Sequence, residues 1–551
     1  MALHAVFVAL IFNLTSFIFS KKNKPRKIFS LRIKFLISTY TLSISDMKTF
    51  LLSVISFMLF CTVSMNAQIQ WKEDTAIIAG KIENLEKHPD IFSVSLICKP
   101  VYDYDYNTRS VNLNPDGSFQ FRIPVAYPQE VYLQLKELFR VLVIPGDSLF
   151  VKINADFLND SLGIYSAEEF IDFKGGALAR DNQLITIFTK EIGFLFNQPL
   201  IKKICKEDSP DIYRKYIDVR TDSCLKFLDE FRWKFHPSDR FIAFAQDDIK
   251  YRRLKNLLKY WRSHASLNNQ KSDSARLVPP EYFIFLKEYN PEDFSIISND
   301  HSDFLHEYYM YSINFPFEDR LKLKDYYKSG PARGCIKKTE MILKNSSGST
   351  RNILLTKRFL SVLAGKDLAL FDSVYTPGII TDPWLTARVD KAYLELKEFL
   401  ADKKTDPGSR LNPAIKTKPN ATFDTLIARY KGKVIYIDFW APWCGPCMGE
   451  MPASRDLQTQ FLGKDVVFLY LGNNCKEDAW ESTVANAKIP GEHYLLNKGQ
   501  YNSLAALFNF SGIPHYVLVD RKGGVTDINA PRPSDKEHII KMINELLSES
   551  Q

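Results

Sequence analysis

From Lys433 to Ser548 strand-type and helix-type runs alternate: "KVIYIDFW", a helix from Cys444, "VVFLYL", "EDAWESTVANAK", "HYLLN", "SLAALFN", "HYVLVD", "GVTDIN" and "DKEHIIKMINELLS". Short apolar runs set between segments of helical period predict a central mixed sheet with helices on both faces. Where the first strand passes into the first helix stands "WAPWCGPCMGEMP", residues 440 to 452, with two cysteines three positions apart. That pair is a metal clamp, a structural staple or a working redox couple.

A zinc site wants four ligands, usually as two pairs, yet Cys475 stands alone and no second Cys-x-x-Cys occurs. A staple across Gly445 and Pro446 closes a ring so small that it constrains little unfolded-chain entropy. Redox chemistry suits the placement better. At a helix N-terminus, unpaired amides and the positive end of the macrodipole stabilise a thiolate on Cys444, the expected nucleophile. Cys447, one turn along the same face, is placed to resolve a mixed disulfide. Asp438 sits on the preceding strand among apolar residues, where desolvation raises a carboxyl and fits it to exchange a proton with the buried thiol.

"VIYIDFWAPWCGPC" resembles thioredoxin, and C-x-x-C-x-x-E-M-P behind an export leader resembles the TlpA/ResA branch of thiol–disulfide oxidoreductases. The resemblance covers roughly residue 414 to the C-terminus. It implies a cis-proline at Pro514 in "SGIPHYVLVD", facing the disulfide, and a helix-kinking proline at Pro452. It implies substrate contacts from Trp443, Gly445, Pro446, Ile513 and Pro514, and a tuning or proton-relay role for Glu450, whose bland alternative is an exposed helix carboxylate. Two positions depart from the pattern: Asp438 stands where many TlpA-like chains carry asparagine, and His515 replaces the threonine usual after the cis-proline. No cofactor beyond the redox-active disulfide, and no metal, is expected. Cys475, after "VVFLYL", is a candidate third thiol.

Upstream the texture changes twice. Between Thr75 and Phe173 short alternating runs broken by turns predict an antiparallel β-sandwich-like domain, with a hairpin at Asn114-Pro115-Asp116-Gly117. "DYDYN" at 103–107 superficially resembles a calcium loop, but Thr108 and Asn114 stand where glycine and glutamate belong, so it reads as a strand connection. From 176 to 403 the period is helical. There "KYRRLKNLLKYWR" reads as a packed stripe with a solvated charged back rather than a membrane or nucleic-acid face. "KKTDPGSRLNP" marks a linker. The expected order is therefore a leader over 1–67, a sandwich-like domain over 68–175, a helical domain over 176–403, a linker over 404–413 and a thioredoxin-like α/β domain over 414–551. Cys98, Cys205, Cys224 and Cys335 read as buried small apolar residues, although Cys205 with Cys224 is a conceivable bridge.

The 551 residues carry a formal charge of +8. Eight basic residues and one acid precede residue 50, so removing 1–67 takes away seven charges and leaves about +1, which excludes a basic field suited to nucleic acid. "MKTFLLSVISFMLFCTVSMNAQIQ" from Met47 reads as a secretory signal cleaved after Ala67. Met47 is then the start, and lipid anchoring at Cys61 is the weaker reading. The run from Ala2 to Ser20, followed by "KKNKPRK", acts as a membrane anchor if translation begins at Met1.

The expected function is an exported, periplasmic or cell-envelope oxidoreductase that reduces disulfide-bearing envelope proteins and is itself re-reduced by a membrane electron donor of the DsbD kind. The Gly-Pro dipeptide is that of thioredoxin, whose potential lies near about −270 mV against about −120 mV for the oxidant DsbA. Rival readings are a thiol peroxidase, and a partner- or glycan-binding protein with an accessory redox domain.

Overall fold

The computed structural model describes residues 71–549 apart from 104–106, 137, 159–170, 271–277, 295–296, 315–324, 328 and 405. The leader, with Met47, Cys61 and Ala67, lies outside the described residues, as does the middle of "DYDYN". Residues 68–551 form one compact unit.

Eight strands build its N-terminal part: β1 (Asp74–Glu83), β2 (Ser93–Cys98), β3 (Asn107–Asn112), β4 (Ser118–Val125), β5 (Gln129–Gln134), β6 (Leu138–Val143), β7 (Ser148–Asn154) and β8 (Ile171–Lys174). They form two four-stranded sheets, β4-β1-β7-β8 and β3-β2-β5-β6. Period-two patterning does the sorting. In β4 Phe119, Phe121, Ile123 and Val125 turn inward onto one cluster with Ile78, Leu96, Val131 and Val151, while Gln120 and Arg122 face out.

Two features differ from a purely antiparallel sandwich. β1 pairs with β7 in parallel. The turn at 114–117 forms as its residues demand, with Gly117 at φ 80° and its amide donating to the Asn114 carbonyl at 2.8 Å. Its two arms nevertheless enter different sheets, β3 beside β2 and β4 beside β1, so no hairpin results. Turn residues dictate the local reversal, whereas the partner of each arm depends on which apolar face it buries.

Helices occupy most of Ala179 to Ala401. The longest, Asp239–Leu267, buries Phe244, Tyr251, Leu257, Leu258 and Trp261 along its inner side. Lys259 is exposed as the sequence suggested, but the arginines of the segment are not a solvated back. Arg252 pairs with Asp248 at 3.0 Å and Asp300 at 2.8 Å, Arg253 with Asp218 and Glu288 at 2.7 Å, and Arg262 with Glu307 at 2.6 Å. Asp248 is shared with Arg140 of β6 at 2.6 Å, and Arg140 also pairs with Glu130 of β5. The buried Glu130–Arg140–Asp248 set ties the β3-β2-β5-β6 sheet to the longest helix. Cys205 and Cys224 are free and buried rather than bridged, and Cys98 is free and half-buried. Among the described residues no helix is long and apolar enough to cross a membrane.

The C-terminal part is one six-stranded mixed sheet made of β9 (Ser409–Leu411), β10 (Val434–Trp440), β11 (Val466–Gly472), β12 (Gly491–Leu495), β13 (His515–Val519) and β14 (Val525–Asp527), in the order β14-β13-β10-β11-β12-β9. β9 lies inside the stretch expected as a linker and pairs in parallel with β12, giving that edge a partner. Every residue of β10 is buried. Val434, Tyr436 and Trp440 face the cluster that holds both cysteines, and Ile435, Ile437 and Phe439 face the opposite one.

Removing Arg140 would leave the fully buried Glu130 carboxylate without its ion-pair partner and the fully buried Asp248 with Arg252 alone. Arg140→Leu should therefore cost about 3–5 kcal/mol, read from the urea midpoint of the N-terminal part.

Candidate redox site

β10 ends at Trp440, and four residues later Cys444 caps the helix Gly445–Thr459. Cys444 and Cys447 form a disulfide with Cα atoms 5.2 Å apart. The Cys444 Sγ accepts the Cys447 amide at 3.2 Å, taking the place of a serine or aspartate oxygen at a helix cap. Pro446 in the first turn needs no amide partner, and Pro452 lies inside the same helix. The sulfurs are less open than a reachable nucleophile suggests: Cys444 is 4% exposed and Cys447 1%. The opening is made by their neighbours, with Trp443 42% exposed and Gly445 and Pro446 also exposed.

The Ile513–Pro514 bond is cis and leads directly into β13. Because Phe439 pairs with His515, the antiparallel register brings Pro514 to the end of β10 from which the Cys444 turn departs. Ile513 packs against the cluster that contains both cysteines. Trp443, Gly445 and Pro446 flank the disulfide along the chain, and Ile513 and Pro514 lie at the same end of the sheet.

Asp438 shares the face of Tyr436 and Trp440 by the period of the strand, which is the face covered by the cysteine-bearing helix. It is 2% exposed, and neither carboxylate oxygen has a hydrogen-bond partner. Burial first, and the Glu450 charge second, push its carboxyl well above the usual carboxylate range. Its cross-strand neighbours are Tyr470 and Tyr516. Their hydroxyls turn elsewhere: Tyr470 meets Ser454 at 2.6 Å, and the Tyr516 hydroxyl has no partner. These tyrosines escaped sequence reading because only strand register puts them beside Asp438.

Glu450 is not an exposed helix carboxylate. It is 9% exposed and accepts the Ser534 amide at 3.0 Å and the Ser534 hydroxyl at 2.9 Å, with Arg532 at 3.9 Å. It therefore anchors the segment before the last helix, Lys536–Ser548, while remaining within electrostatic reach of Asp438. His515 belongs to the other face of the sheet, where its ring stacks on Phe510 at 4.1 Å between centroids, and burial lowers its pKa. Cys475 is a free thiol just beyond the carboxyl end of β11, pushed up to about 12 by burial, so it is no thiolate at neutral pH. Among the described residues no group of three or more His, Cys, Asp or Glu side chains is arranged to hold a metal ion.

The raised carboxyl carries a pH signature. The unfolded chain ionises Asp438 near its ordinary value of about 3.9, while the folded chain keeps it protonated to higher pH. Stability therefore falls as pH rises between the unfolded and folded values. Asp438→Asn should flatten this decline in the oxidised protein, measured by hydrogen exchange of β10 amides at pH 5 and pH 8.

Residues 432–525 match the family model described as thioredoxin-like. The thioredoxin-like protein YneN of Bacillus subtilis (strain 168) is 32% identical over 108 residues, covering 19% of this chain and 62% of the relative. The thiol-disulfide oxidoreductase ResA of Bacillus thuringiensis (strain Al Hakam) is 28% identical over 102 residues, covering 18% and 54%. The chain thus spans only about half to three-fifths of these relatives. The solved thioredoxin domain of a thiol-disulfide oxidoreductase from Bacteroides vulgatus aligns at 21% identity over 22% of this chain and 84% of its own, with a TM-score of 0.21. The stretch that holds the Cys444–Cys447 disulfide and the buried Asp438 is thus the part of the chain that matches the thioredoxin-like family model.

Proposed function

We propose that this chain is a thiol–disulfide oxidoreductase that reduces disulfides in other proteins through Cys444 and Cys447. The observation that carries the reading is the Cys444 sulfur seated as the cap of a helix N-terminus, hydrogen-bonded by the Cys447 amide, with an orphaned acid on the covered face of the adjoining strand. In the reduced state that amide and the helix dipole favour the Cys444 thiolate.

The thiolate attacks a substrate disulfide, forming a mixed disulfide and releasing one substrate thiolate. Cys447 then gives up its proton, for which a carboxyl as raised as Asp438 is a suitable exchange partner, and attacks the Cys444 sulfur. The substrate leaves as a dithiol carrying two electrons, and the Cys444–Cys447 disulfide closes. Two electrons from a donor reopen it. We place the protein in the periplasm or cell envelope on the signal-type segment from Met47, with disulfide-bearing envelope proteins as substrates and a membrane donor of the DsbD kind. The Gly445-Pro446 dipeptide supports the reducing direction.

Cys447→Ser should accumulate mixed disulfides with client proteins, and Cys444→Ser should accumulate none, both read by non-reducing gels of the native envelope. Equilibrium titration of the protein should return a potential nearer about −270 mV than about −120 mV. A value near the second figure reverses the direction of electron flow.

A further inference from the structure

Asp438 is flanked by polar groups, and the protein engages nearly all of them elsewhere. Tyr436, two residues back on the same face of β10, donates its hydroxyl to the Pro531 carbonyl at 2.6 Å. Tyr470, across the parallel pair, meets Ser454 at 2.6 Å and accepts from Gln458 Nε2 at 2.7 Å, both on the cysteine-bearing helix. On that helix Cys447 is closed into the disulfide, and Glu450 takes the Ser534 amide and hydroxyl with Arg532 beside it. The last helix buries only the apolar Ile539, Ile543 and Leu546.

Two groups remain on this face, the Tyr516 hydroxyl and the Trp440 indole N–H, each buried and without a hydrogen-bond partner. Tyr516 stands directly opposite Asp438 in the antiparallel pairing of β10 with β13, and belongs to the cluster that contains both cysteines. Opposed residues bring their Cβ atoms within about 4.5–5.5 Å, closer than the roughly 6–7 Å between alternate residues of one strand such as Asp438 and Trp440. The Tyr516 ring is set by its stack on Tyr436, 5.6 Å between centroids and 5° between planes. An orphaned carboxyl thus faces an orphaned hydroxyl, and neither has a hydrogen bond to give up in turning to the other. Unpaired burial of both is unfavourable, and a state in which they pair removes that penalty.

We infer that Tyr516 is a positioning residue for proton exchange at the redox centre, its hydroxyl being the donor that meets the Asp438 carboxylate whenever that acid is ionised. The inference rests on the proposed disulfide exchange for its functional half. To take the Cys447 proton Asp438 must first hold a charge, which burial and Glu450 both oppose. A hydroxyl donating to the charged form works against them. When the Cys447 S–H bond breaks and an Asp438 O–H bond forms, the Tyr516 hydroxyl is released with its own proton. When a donor's two electrons reopen the disulfide, Cys447 leaves as a thiolate and recovers the proton from Asp438, and the carboxylate returns to Tyr516.

The test is an infrared titration of the oxidised full chain, in which the two cysteines do not titrate, with the Asp438 carboxyl band assigned by its loss in Asp438→Asn. Tyr516→Phe keeps the ring stacked on Tyr436 and removes a hydroxyl that bonds nothing while Asp438 is protonated, so the variant should fold. It should raise the midpoint of the Asp438 titration by about one to two pH units, the worth of one hydrogen bond to a charged group. Tyr470→Phe removes the other neighbouring hydroxyl and should leave the midpoint where it is. In the reduced protein, Tyr516→Phe should move the pH profile of mixed-disulfide resolution upward by the same interval. An unmoved midpoint in Tyr516→Phe, an equal shift in Tyr470→Phe, or a parent carboxyl that stays protonated wherever the chain is folded overturns the inference. If the parent protein reduces no protein disulfide, the proposed function fails, and the midpoint alone upholds or overturns the pairing.

Discussion

The hydrogen bond from the Cys447 amide to the Cys444 sulfur joins the two halves of the site's architecture. It exists because a strand buried on both faces delivers Cys444 to the open end of a helix, where amides have no carbonyl to meet. The sulfur fills that vacancy. The same geometry places Cys447 one turn later on the covered side and leaves Trp443, Gly445 and Pro446 at the surface. Burial of β10 thus sets both cysteines in the core, with the exposed Trp443, Gly445 and Pro446 beside them.

Charge is treated oppositely in the two halves of the molecule. Arg140, Glu130 and Asp248 are buried together, each compensated by another member of the set. Asp438 is equally buried and compensated by none, with two orphaned oxygens and a second acid, Glu450, close enough to disfavour its ionisation. A buried polar group without a partner costs about 1–3 kcal/mol, more when charged. Such a cost in the packed centre of a sheet is the pattern of a site that serves chemistry rather than stability.

Much of the C-terminal part was legible because each signal was local. The strands and helices from Val434 to Ser548, the cap at Cys444 and the burial of Asp438 all follow from runs of a few residues. The misreadings share one cause. The turn at 114–117 formed but its arms parted, and β9 left a stretch that reads as linker to close a sheet edge. In each, the outcome depended on a partner distant in sequence.

The amino-acid order by itself determined the strand-to-helix junction, the pair of cysteines on one helical face and the acid on an apolar strand, since periodicity, capping and spacing act within one element. Tertiary structure alone decided which tyrosines flank that acid, that His515 packs on the far face of the sheet, and that Asp367 pairs with Lys476 at the end of the loop holding Trp443. The physical reason is that strand register and domain docking are settled by apolar burial summed over many distant residues, a quantity that no short stretch of the chain contains.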